Sequence, residues 1–253
     1  MSTVRLEWLR LWRTYRLLIL VVAFAFFGLI GPLTAAYLPE IIGFASQSDD
    51  LGLAVDLPEP VPADGIIQYV GNVSQIGIVV VAAIASLALA IDARPGSAAF
   101  YRTRQPSPAS WIVPRWAATS LAASAAWTVG LLAAIYETLL LIGPLPVGAM
   151  VVGWGAWVVY LGFAVAVVAL VAGFVRSSVG VTAVSVGLLL GMALLGLVPQ
   201  IGEWLPSHLV VAPSALAAES AEASDYLRAV GVSVAAAAAA LVGATALAKR
   251  REL

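Results

Sequence analysis

Six stretches of the chain stay apolar for longer than a globular helix needs: 17–37, 66–91, 116–141, 147–175, 179–198 and 229–248. A bilayer-crossing helix takes about 20 such residues, and at about 1.5 Å per residue the first stretch rises about 31 Å. Each is therefore predicted to be a membrane span. Ahead of them, residues 2–16 carry a helical period. Val4, Trp8, Leu11, Trp12 and Tyr15 share one face, and Glu7, Arg10, Arg13 and Thr14 the other. That pattern predicts an interfacial elbow helix with its tryptophans at headgroup depth. A signal peptide is the competing reading, but the following run is long for one and Thr34-Ala35-Ala36 is a poor cleavage site.

The second stretch breaks its own pattern. Gln68, Asn72 and Gln75 stand at i, i+4 and i+7, so a regular helix puts them on one face. Polar side chains in a span face protein or a water-filled path, which leaves two readings open: the lining of a translocation path, or hydrogen bonding between helices. Asn72-Val73-Ser74 matches a glycosylation sequon but lies inside the apolar run. Glu137 falls about 33 Å beyond Arg115 along a helix, near the far interface, where a snorkelling boundary acid is expected rather than a proton carrier. Gly187 and Gly191 have small-xxx-small spacing, which permits close helix packing. Gly31-Pro32 is a candidate kink in the first span.

Composition supports the membrane class. Hydrophobic residues make up 62% and charged residues 11% of the 253 positions, against about 25% charged in a soluble domain. Charge then orients the spans. With both termini on one side, every Lys and Arg except Arg228 falls on that side. The opposite side takes most of the acids: Glu40, Asp49, Asp50, Asp56, Glu59 and Asp64 in one loop, and Glu203, Glu219, Glu222 and Asp225 in another. The positive-inside rule makes the basic side cytoplasmic. The acidic loop lacks metal-loop spacing and reads as solvated. Trp204-Leu205-Pro206 and Pro213 predict short broken helices at the surface before the last span.

Familiar chemistries are thinly represented. The chain has no cysteine and one histidine, His208, which excludes disulfides, thiol nucleophiles and a two-histidine metal site. A catalytic Ser207/His208 pair is disfavoured because adjacent residues seldom align hydroxyl and imidazole. No phosphate-binding Gly-x-x-x-x-Gly-Lys-Ser/Thr occurs, and Lys249 is the sole lysine. No charged residue sits deep in a span, where one costs about 2.5–3.5 kcal/mol and is kept for proton or voltage coupling. Energy for any transport is expected from a separate ATPase.

The connector from Asp92 to Arg115 carries the remaining signal. It holds Arg94, Arg102, Arg104 and Arg115, and its middle, Gly96 to Arg104, reads as about two turns of basic, aromatic helix. Taken alone, it fits a partner groove that buries Phe100 and Tyr101, or a loop held at anionic headgroups. With six spans around it, the connector resembles that of the type 2 ATP-binding-cassette (ABC) transporter permeases. Their motif runs acid, Gly-Ser/Thr, hydrophobic position, Pro with a small or polar residue, then a base entering the third span. Asp92, Gly96-Ser97, Phe100, Pro106-Ser107 and Arg115 stand in those places, with Asp where Glu is usual and extra prolines at 95, 108 and 114.

The resemblance implies an all-α polytopic fold in one permease domain over 1–253. It implies a cytoplasmic coupling helix within 94–105 that docks on an ATPase, with Asp92, Arg94, Gly96, Ser97, Phe100, Tyr101, Arg102 and Arg104 as coupling residues. The implied partners are two ATPase copies, which carry ATP and Mg, a second permease copy or a related permease, and membrane lipid, with no nucleic acid. The chain itself would be neither an enzyme nor a cofactor carrier. The implied setting is a bacterial cytoplasmic membrane and the implied direction is export. A non-transporting adaptor or immunity protein, or an intramembrane enzyme, are the alternatives.

Overall fold

The computed structural model describes residues 3–48, 58–93, 96 and 107–250. Every regular element among them is helical. The order is α1 (Thr3–Arg13), α2 (Arg16–Ser48), α3 (Pro62–Asn72), a π-helical turn (Val73–Gly77), α4 (Ile78–Leu89), a 3-10 turn (Ile91–Ala93), α5 (Ala109–Leu141), α6 (Val147–Ala172), α7 (Ser178–Leu195), α8 (Pro199–Gly202), α9 (His208–Ala217), a second 3-10 turn (Ala223–Tyr226) and α10 (Leu227–Arg250). Among the described residues, six helices are long and apolar enough to cross a membrane: α2, α3 continuing into α4, α5, α6, α7 and α10. These are the six apolar stretches of the sequence. α2 continues through Pro32 and runs on past Tyr37 through Pro39 to Ser48, so the start of the expected acidic loop is helix instead.

Between helices in a bilayer there is little hydrophobic drive, because lipid tails are as apolar as leucine; close packing must hold them. Here α2 lies along α5 at a glycine crossing. A Cβ on Gly28 would land on the carbonyl oxygen of Gly130, and one on Gly130 would meet the Phe24 carbonyl oxygen at 2.6 Å. The foreseen pair, Gly187 and Gly191, has open space around it within this chain. α6 is the most buried span, packed by α5, α9 and α10, while α7 and α10 are the least buried.

An aromatic column ties α3, α5 and α6 together. Tyr69 stacks on Trp127 at 5.2 Å, Trp127 on Trp157 at 4.4 Å, and Tyr160 meets Trp157 edge-on at 5.7 Å. All four are buried, and such pairs contribute about 0.5–1.5 kcal/mol each beyond their area. Hydroxyls and indoles add cross-links: Ser86 to Thr182 at 2.8 Å between α4 and α7, and Trp116 Nε1 to the Gly162 carbonyl at 2.9 Å between α5 and α6.

Two expectations are corrected. The segment before the last span does not lie wholly at the surface: α9 is inserted between α3 and α6, with Leu209 and Ala212 fully buried. Trp157 Nε1 donates to the Val210 carbonyl at 2.8 Å, and a Cβ on Gly153 would meet Pro213 Cα at 2.6 Å, so a glycine and an indole make its seat. The second correction concerns α1. Its inward face carries Glu7 and Leu11, whereas Trp12 and Tyr15 are exposed. Glu7, placed by the helical wheel on the polar side, faces the bundle because it has a buried cation to meet.

Candidate functional site

Charged residues collect at two ends. A cleft of ≈ 20 Å³ at the basic end is lined by Leu89, Asp92, Trp111, Ala172 and Ala248, so α4, α6 and α10 end where α5 begins. Asp92 is half-buried in its 3-10 turn, and Gly96 is exposed in helical conformation. Arg94, Ser97, Phe100, Tyr101, Arg102 and Arg104 lie outside the described residues.

The connector's last basic residue is placed firmly. Arg115 is 1% exposed, and its Nε donates to Glu7 Oε1 at 3.1 Å. Its guanidinium also lies 5.5 Å from the Trp111 ring centroid. Arg10 adds a longer contact to Glu7 at 3.8 Å. Losing one partner of a buried pair commonly costs about 3–5 kcal/mol, since the other charge stays buried alone. Sequence reasoning missed Glu7 as a functional candidate. The available signal was an acid amid Arg5, Arg10, Arg13 and Arg16, on the side otherwise poor in acids.

The polar stripe of the second span divides. Gln68 and Asn72 are half-buried, and Gln75 is exposed. The π-helical turn at Val73–Gly77 is the cause. Its i→i+5 bonding widens one turn, so residues after Asn72 are rotated from the face a regular helix would give them. Ser74 and Gln75 sit in that turn and line a cavity of ≈ 340 Å³, with Tyr160 of α6, Leu189 of α7, and Ser207 and His208 at the start of α9. Gln68 and Asn72 are not among its lining residues. Such turns recur at functional sites, because they re-aim side chains without ending a helix.

The Ser207 hydroxyl donates to the Met192 carbonyl at 3.2 Å, which anchors α9 to the end of α7. His208 stacks on Tyr226 at 4.8 Å. His208 also lines a second cavity, of ≈ 420 Å³, with Glu203, Asp225, Tyr226 and Arg228. Glu203 and Arg228 face each other there at 3.5 Å, both exposed. Glu137 is half-buried one turn from the end of α5. Among the described residues no three His, Asp or Glu side chains converge as metal ligands do.

The chain is similar to the uncharacterized transmembrane protein YxlG of Bacillus subtilis (strain 168), 24% identical over 210 residues that span 83% of this chain and 81% of that protein. Six apolar helices and that relative agree on the class. The chain is a multi-pass helical membrane protein. No family model matches it, and no solved structure does.

Proposed function

We propose that this protein is the transmembrane permease subunit of an ABC exporter, driven by a separate ATPase that docks on the connector between the second and third spans. The observation that carries this reading is the anchoring of the connector's exit. Arg115 is locked to Glu7 of α1, so a push on 94–106 is delivered to α1 and α5 together rather than lost in a loose hinge. Force must enter a transporter through a stiff element, and a hydrogen-bonded ion pair excluded from solvent is one. A cavity between α4, α6, α7 and α9, mostly apolar with a few polar side chains, is the kind of site a carried molecule would occupy. ATP and Mg would belong to the partner, and the permease would act as a pair with a second copy or a related chain. The basic end would face the cytoplasm of a bacterial cell.

The test is purification of a tagged chain from its native membrane, with associated subunits identified. An ATPase bearing a phosphate-binding loop should accompany the wild type in equal amount. Phe100→Ala or Tyr101→Ala should release it more than Arg94→Ala, because a buried anchor commonly contributes at least about 2 kcal/mol and an exposed ion pair about 0–1 kcal/mol. Absence of any ATPase from the wild type would leave the adaptor reading instead, and full retention by both aromatic variants would make the connector a headgroup-bound loop and end the coupling reading.

A further inference from the structure

We propose that the two cavities meeting at His208 form one binding site for a single-chain amphiphile with a cationic head. The imidazole lines both cavities. On one side lies the ≈ 340 Å³ space among Gln75, Tyr160 and Leu189, whose walls are mostly apolar. On the other lies the ≈ 420 Å³ mouth among Glu203, Asp225 and Arg228, whose walls are mostly polar. Each volume falls in the range of about 300–1,000 Å³ typical of small-molecule sites.

The chemistry of the walls selects the ligand. Water needs two to four polar partners to be held, which most of the inner cavity does not offer, so its occupant is a hydrocarbon segment. The mouth carries two carboxylates against one guanidinium. Arg228 is already engaged by Glu203 and lies 5.3 Å from the Trp204 ring. Asp225 accepts a hydrogen bond from the Glu222 backbone N–H at 2.9 Å. The surplus is one negative charge in a mouth that His208 also lines, an environment that favours a cation, quaternary ammonium included. His208 rests on the buried Tyr226 ring, a fixed plate beside which the ligand's neck would pass.

As a statement of what the permease carries, this rests on the transport reading; as a binding site it stands alone, and the test needs no ATPase. The purified full-length chain in lipid nanodiscs is photolabelled with a dodecyltrimethylammonium analogue bearing a diazirine at the chain end. Labelled residues are then mapped by mass spectrometry. Label is expected within Ser74–Ile78 and Leu189–Leu197, displaced by excess dodecyltrimethylammonium and not by dodecyl phosphate. His208→Trp should block the neck. Ala193→Trp fills the inner cavity from an exposed position of α7, which protects against misfolding as an explanation. Each should lower cavity labelling about tenfold through steric exclusion. Glu203→Gln, at an exposed site, should lower it no more than about fivefold. Labelling that Ala193→Trp leaves unchanged, or that dodecyl phosphate displaces equally, overturns the proposal. A labelled site in a chain that binds no ATPase would retain this inference and remove the transport reading. ATPase binding without a labelled site would do the reverse.

Discussion

Glu7 and Arg115 stand 108 residues apart in sequence and meet at 3.1 Å, both buried, where the N-terminal helix crosses the start of the third span. The pair joins an amphipathic helix to the exit of the connector. It also explains why a carboxylate is turned inward on a helix that exposes two aromatic rings.

That relationship predicts an asymmetric mutational cost. Glu7→Ala removes a buried partner of the Arg115 charge and should destabilise the bundle by about 3–5 kcal/mol. Replacing both residues by Met should recover much of the loss, because an apolar pair of similar volume removes both charges of this pair from the interior. Thermal unfolding in detergent reports both, and a double variant no better than the single would show that the ion pair is not the cause.

The glycine crossing predicts a second contrast. Gly130→Ala drives a methyl group into the Phe24 carbonyl and the Tyr69 hydroxyl, and overpacking of this kind costs about 1–3 kcal/mol. Gly187→Ala meets nothing within 4 Å in this chain. Midpoints of thermal unfolding should fall for the first and stay level for the second. Equal midpoints would place the α2–α5 contact elsewhere.

Orientation is testable because the chain has no native cysteine. A cysteine at Ser220 should react with an impermeant maleimide from outside intact cells. One at Ser107 should react only after the membrane is opened. Labelling of Ser107 from outside would invert the assignment of the basic end to the cytoplasm.

The π-helical turn predicts that the three amides are unequal. Gln75→Leu changes a cavity wall, whereas Gln68→Leu changes a half-buried position away from that cavity. Resistance of cells to dodecyltrimethylammonium should change with Gln75→Leu, which alters the wall that holds the hydrocarbon segment, and stay level with Gln68→Leu. Equal change from both would restore the full stripe as the path lining.

The six spans were legible in sequence because bilayer crossing is a local, one-dimensional requirement: about 20 apolar residues in a row satisfy it whatever the neighbours do. The segregation of Arg and Lys to alternate connectors was legible for the same reason, since charge placement is read segment by segment. The helical period of α1 was visible too, but which face turns inward was not, because hydropathy ranks Glu7 as polar and knows nothing of Arg115. The close-packing glycines could not be picked from the chain either. Gly187-xxx-Gly191 carries the spacing, while Gly28 and Gly130, on different helices, carry the contact. Likewise the amide stripe assumed an unbroken α-helix, and Gln75 instead sits in a π-helical turn and lines a cavity with His208, a residue more than a hundred positions away. Burial of α9 was decided by Trp157 and Gly153 on another helix. The chain by itself determined which of the described helices are long and apolar enough to cross a bilayer and which connectors are basic. Only the tertiary structure decided which charges are neutralised, which helices touch and where cavities open, because those depend on pairs of residues that sequence order keeps apart.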